Sequence, residues 1–273
     1  MSNEERMTRN EQREAARAKA REIRESQKRS AKRNRIVILT SIITGVALVL
    51  GGIIAAIAIK ANEPVNNSYK VTNMDFDGGI RLGKNMEVVK TADETVPNII
   101  VFQDLQCPNC RDFEVPNNAQ LRDLVNKGEF TLQIHPVSFL DGSSANQYSS
   151  RAGGATMCVA KYEPNRFFDY SAALFEHQPD EGTVGPGNDE LSARAKSIGI
   201  TNTKVLDCIS NGELTDEILN YTRALFNGAF TIPGVDFENF GTPYIVLNGQ
   251  HFQGDWTNPA AFSQWLTTTA ANK

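Results

Sequence analysis

Two thiols flank a two-residue spacer in the run Cys107-Pro108-Asn109-Cys110. That spacing brings the sulfurs within bonding reach, so the pair can cycle between dithiol and disulfide. The apolar run Ile99-Ile100-Val101-Phe102 leads into it, and the first cysteine falls where a helix should begin. Unpaired N–H groups and the positive dipole end at such a start favour a thiolate at Cys107. A zinc site would need two further ligands. The other cysteines, Cys158 and Cys208, are 50 positions apart, and His135, His177 and His251 have no ligand-like spacing, so neither metal nor cofactor is expected.

The elements that must position this pair follow from pattern. A strand over Asn98–Asp104, a helix from Cys107 to about Val125 and a strand over Phe130–Val137 form a βαβ unit. Phe113, Leu121, Leu124 and Val125 are the expected buried face of the helix. Ahead of it, glycines between Asp75 and Val89 suggest a hairpin or an edge strand. The next strand, Pro243–Leu247, comes much later than a crossover needs. Helical patterns fill the gap: Ser144–Lys161, Arg166–Glu176, Asp189–Ile198, Lys204–Ser210 and Asp216–Asn227. An all-helical subdomain, about 140–232, is thus inserted into an α/β sheet. Gly153-Gly154 within it reads as tight packing. Asn248-Gly249 predicts a hairpin turn returning through His251-Phe252, and Asn258–Ala270 a closing helix with Phe262 and Trp265 inward.

Residues 36–59 are 24 consecutive uncharged, mostly apolar positions. As a helix they would be about 36 Å long, enough to span a bilayer. Residues 1–35 carry 12 Lys/Arg against 6 Asp/Glu; the remainder carries 16 against 26. The positive-inside rule then places the basic arm, 1–35, in the cytoplasm and the acidic part outside the membrane. Ala56-Ile57-Ala58 offers a cleavage-like tripeptide, but the long hydrophilic lead favours a retained anchor. Residues 60–74 read as a linker and 75–273 as the folded domain. No aromatic or base-reading pattern accompanies the basic arm, so it is read as an orientation signal and no nucleic acid is expected.

All four cysteines fall on the exported side, where disulfides persist. Four cysteines allow three connectivities; proximity pairs Cys107 with Cys110 and leaves Cys158 with Cys208 as a structural bridge.

The strand ending Phe102-x-Asp104-x-x-Cys107-Pro108-x-Cys110, the helical insertion and the late Gly241-Thr242-Pro243-Tyr244 resemble the DsbA-like thiol–disulfide oxidoreductases of the thioredoxin fold. His135-Pro136, Tyr148 through Arg151 and the extra cysteine pair are similar to membrane-anchored actinobacterial members. The resemblance spans roughly residues 75–270. It implies an exposed thiolate at Cys107, a buried resolving thiol at Cys110, and a cis-proline at Pro243. Thr242 would pair with an extended substrate segment, with Pro108 and Asn109 in supporting roles.

Two departures stand out. Val101 occupies the position, six residues before Cys107, where many members carry a buried carboxylate. Asp104, or water, would have to handle the proton, although an aspartate there also suits a turn cap. Asn109 replaces the histidine frequent in strong oxidants, so milder acidification of Cys107 is expected. The reading is a single-pass membrane protein, expected to be monomeric, that introduces disulfides into reduced exported polypeptides and is reset by a re-oxidising membrane partner. An isomerase or reductase of the same fold, or a binding protein with a structural Cys107–Cys110 staple, are the alternatives.

Overall fold

A computed structural model describes residues 77–271. The basic arm, the expected anchor at 36–59 and the linker at 60–74 lie outside the described residues. Among the described residues no helix is long and apolar enough to cross a membrane.

The chain first lays down β1 (Ile80–Leu82), the edge strand expected near the glycines. Then come β2 (Asn98–Gln103), helix α1 (Pro108–Lys127) and β3 (Thr131–Pro136). Five helices follow before the sheet resumes: α2 (Tyr148–Tyr162), α3 (Phe167–Glu176), α4 (Asn188–Ser197), α5 (Thr203–Asn211) and α6 (Thr215–Phe226). The hairpin β4 (Tyr244–Leu247) and β5 (Gln250–His251) and helix α7 (Pro259–Ala270) close the fold. The sheet order is β1-β3-β2-β4-β5, with β2 and β3 parallel and the other pairs antiparallel.

Local chemistry explains the boundaries. Pro108 occupies the first turn of α1, where its missing N–H costs nothing, and Gly128 ends the helix in the left-handed conformation. Asn248 and Gly249 both have positive φ, 51° and 72°, which a two-residue hairpin turn requires. The Asn258 side chain caps α7 by accepting from the N–H groups of Ala260 and Ala261. Helix α2 starts four residues later than its pattern suggested. Ser144 is outside it and caps from there, its Oγ accepting from Tyr148 N at 2.9 Å.

Strand β3 is enclosed on both sides. All six of its residues are buried, so neither face is solvated. Its polar side chains are satisfied by a buried chain of hydrogen bonds. Arg81 donates to Gln133 Oε1 at 2.7 Å, and the Gln133 amide meets His135 Nε2 at 2.7 Å. His135 Nδ1 lies 2.5 Å from the Tyr221 hydroxyl, which donates to the Asp77 carbonyl at 3.1 Å. Burial holds His135 far below its usual range, at about 3, so the ring is neutral. Phe102 stacks on it at 4.3 Å.

The helices between β3 and β4 form their own packed layer. Cys158 of α2 and Cys208 of α5 are joined in a disulfide, as the cysteine count suggested. Gly154 of α2 meets the backbone of Leu214 and Thr215, and an added Cβ would stand 2.8 Å from it. Helix α1 ties to this layer through Arg122–Asp169 at 2.7 Å and to α7 through Phe113 against Phe262. Of the expected α1 face, Phe113, Leu121 and Val125 are buried and Leu124 partly so.

The disulfide closes a separation of 50 residues. Replacing both cysteines by alanine should destabilise the folded chain by up to about 4 kcal/mol through the unfolded state alone. Urea denaturation measures this, and a change within experimental error would refute it.

Candidate active site

Strand β2 ends at Gln103, and the short turn Asp104–Gln106 delivers Cys107 to the N-cap of α1. The Cys107 carbonyl accepts the first helical hydrogen bonds, from Cys110 N at 3.1 Å and Arg111 N at 3.3 Å. Cys110 faces inward one turn on, and the Asp104 N–H donates to its sulfur at 3.4 Å. Both cysteines are reduced in this structure.

From the opposite side comes the segment before β4. Tyr244 pairs with Phe102 across the sheet, which sets Thr242 level with the turn beyond β2. The Thr242–Pro243 bond is cis. The Cys107 thiol donates to the Thr242 carbonyl at 3.1 Å. This contact corrects one expectation: Cys107 is only 6% exposed, because the Thr242 carbonyl lies against its sulfur.

The environment separates the two thiols. Hydrogen bonding from the Cys110 thiol holds Cys107 down to about 7, against the opposing effects of burial and the Asp104 charge. Burial, in contrast, pushes Cys110 well above the ordinary thiol range. Near neutral pH one sulfur is therefore partly thiolate while its neighbour stays protonated.

Asp104 does more than cap the turn. Its Oδ1 accepts from Gln106 N at 2.8 Å and from Ser149 Oγ at 2.6 Å; Oδ2 accepts from Leu140 N at 2.8 Å. A fully buried carboxylate thus joins the cysteine turn to the loop after β3 and to α2. Burial lifts its pKa to about 6 despite those three donors. Ser149 lies in the stretch singled out by resemblance, but nothing in spacing linked it to Asp104. The same is true of Gln178, whose amide reaches the Cys107 carbonyl at 2.9 Å.

Aromatic rings surround the Thr242 segment. Phe240 stacks on Tyr244 at 5.1 Å and meets Phe102, Phe139 and Phe226 edge-on. Phe139 and Phe226 are 42% and 39% exposed, an apolar surface that the sequence pattern did not announce. His251, expected at the surface, stacks on Tyr244 at 3.8 Å. Among the described residues no cluster of His, Cys, Asp and Glu could hold a metal ion.

Known proteins share this fold. The oxidised DsbA of Mycobacterium tuberculosis matches with a TM-score of 0.56 at 26% identity, over 70% of this chain and 92% of that one. The disulfide bond oxidoreductase DsbG of the same organism matches with a TM-score of 0.56 at 27% identity, covering 70% and 86%. MdbA of Corynebacterium matruchotii, at 18% identity and a TM-score of 0.54, covers 72% and 99% and is alike in fold. In sequence, Disulfide bond formation protein D of Bacillus subtilis (strain 168) is 30% identical over 98 residues, or 35% of this chain; the match spans 42% of that protein's length. The thioredoxin family model matches residues 85–267, both cysteines of the pair and the Thr242–Pro243 segment included, and this chain belongs to the thioredoxin family.

Proposed function

We propose that this chain is a membrane-anchored, extracytoplasmic thiol–disulfide oxidoreductase that introduces disulfides into reduced exported polypeptides. The observation that carries the reading is the asymmetry of the pair: Cys107 held down to about 7 beside a Cys110 pushed well up. The fold shared with DsbA proteins supports it, as do the apolar run at 36–59 and the charge step across it.

In the oxidised enzyme a client thiolate attacks Cys107 Sγ. The Cys107–Cys110 bond breaks, and Cys110 leaves with the electron pair and takes up a proton. A second client thiolate then attacks the client sulfur of the mixed disulfide and expels Cys107. The client loses two electrons and two protons, and the enzyme becomes the dithiol. Cys107 is the better leaving group because its thiolate is the more stable of the two, which drives the release of client disulfide. The Thr242 backbone, beside Cys107, suits an extended client segment, and the half-exposed Phe139 and Phe226 suit the apolar side chains of an unfolded client. Asp104 is the buried group close to both thiols and serves proton exchange with Cys110. A membrane partner returns the dithiol to the disulfide.

Oxidative refolding of a reduced client by the full-length chain should be lost in Cys107→Ala. Reduced Cys110→Ala, given a disulfide-bearing client, should accumulate the mixed disulfide at Cys107, visible on a non-reducing gel. An active Cys107→Ala would end the assignment.

Asp104 sets a second test. Above about pH 6 it is ionised and opposes a thiolate at Cys107, which titrates near 7. Asp104→Asn removes that charge, so the alkylation midpoint of Cys107 should fall by roughly a few tenths of a pH unit. A rise would show that the carboxylate stabilises the thiolate instead.

A further inference from the structure

Two glutamines hold the Cys107 turn from the far side of the helical layer. Gln178, two residues beyond α3, donates through its amide nitrogen to the carbonyls of Leu105 at 3.1 Å and Cys107 at 2.9 Å. Gln106, wholly buried, donates in the opposite direction to the carbonyls of Asp180 at 3.2 Å and Thr183 at 3.3 Å. The two amides clasp residues 105–107 to residues 178–183 by reciprocal bonds. Because the Cys107 carbonyl already accepts from Cys110 N and Arg111 N, Gln178 is its third donor. Among the described residues Gln106 Oε1 is buried with no partner, although buried acceptors are nearly always paired. An amide kept here at the expense of an empty acceptor points to a demand on geometry at the turn.

We infer that Gln178, clamped in place by Gln106, is a positioning residue of the redox couple that fixes the Cys107 carbonyl and thereby the N-cap orientation of the Cys107 sulfur. This deepens the oxidoreductase reading and rests on it for the identity of the working couple. Two effects act together. The amide sets the positive end of its dipole on the Cys107 carbonyl, offsetting that oxygen's partial negative charge on the residue that carries the thiolate, in a site of low dielectric where such contacts are strong. Holding the carbonyl also keeps the sulfur at the head of α1, close to the N–H groups of the first turn. Asp104 is the ionisable carboxylate acting on both sulfurs, and the neighbouring His177 ring is engaged with the Ala173 carbonyl at 3.2 Å.

The test is the pH profile of iodoacetamide alkylation of Cys107 in the reduced, solubilised full-length chain. Gln178→Leu should raise the midpoint by about half a pH unit, a roughly threefold weaker acid. Gln178→Glu, of the same shape but charged, should raise it further. Gln106→Leu loosens the clasp from its other end and should shift the midpoint in the same direction by less. Thermal unfolding of each variant identifies those that are folded. Should Gln178→Leu fail to fold, the other two variants carry the measurement. Midpoints in folded Gln178→Glu and Gln106→Leu that coincide with the unsubstituted chain would overturn the inference. Absence of client oxidation by the unsubstituted chain would sink the functional reading while leaving the alkylation midpoint readable, so the two failures are distinct.

Discussion

The antiparallel register of β4 on β2 is the constraint on which the site depends. Tyr244 faces Phe102, so the chain before β4 must run past the chain after β2. Cys107 and Thr242, 135 positions apart, meet for that reason. Stacking reinforces the register: His251 on Tyr244, Tyr244 on Phe240, and Phe240 edge-on to Phe102. A one-residue slip of β4 would turn every side chain of that strand to the other face. It would also draw the Thr242 carbonyl away from the sulfur. The aromatic ladder therefore serves the register as well as the apolar surface.

The helices between β3 and β4 have to be anchored if that register is to persist, since more than half of the folded domain's helices lie within this single excursion. Three kinds of tie anchor them. The Cys158–Cys208 disulfide fixes α2 to α5 inside the layer. The Asp104 carboxylate binds the layer to the cysteine turn through Ser149 and Leu140, and the Gln106–Gln178 clasp does so again from the α3 side. A buried carboxylate is an expensive tie unless its lone pairs are satisfied. Here three donors satisfy it, and its pKa still climbs to about 6. Its location beside the cysteine turn puts that carboxylate within electrostatic reach of both thiols.

Most of the framework was legible because it depends on local chemistry. Alternation and apolar runs marked β2, β3 and β4, helical periodicity marked each inserted helix, and Asn248-Gly249 announced its hairpin. The cysteine count led to the Cys158–Cys208 bridge. What escaped was non-local. The burial of Cys107 depends on a carbonyl delivered by β4, and no property of residues 104–110 reveals it. Gln178 looks like any polar residue after a helix until folding brings it to Cys107. Asp104 carried a local signal, its turn-capping position, and this concealed its two long-range partners. Strand β3 shows the same dependence, since Gln133 and His135 each find a partner far away in the chain.

Placing the same functional group at two positions three residues apart creates a chemical distinction only if the surroundings break the symmetry. The head of a helix and a donor thiol stabilise negative charge at Cys107; enclosure without countercharge penalises it at Cys110. Asp104 acts on both, since its charge disfavours a thiolate at either sulfur, and the one backbone N–H at Cys110, from Asp104 itself, does not offset the burial there. Expelling Cys110 from a Cys107–Cys110 disulfide therefore calls for a proton at Cys110, whereas expelling Cys107 from a bond to another sulfur does not. That distinction rests first on the enclosure of Cys110, the largest cause of its raised pKa, and only then on the hydrogen bond between the two thiols.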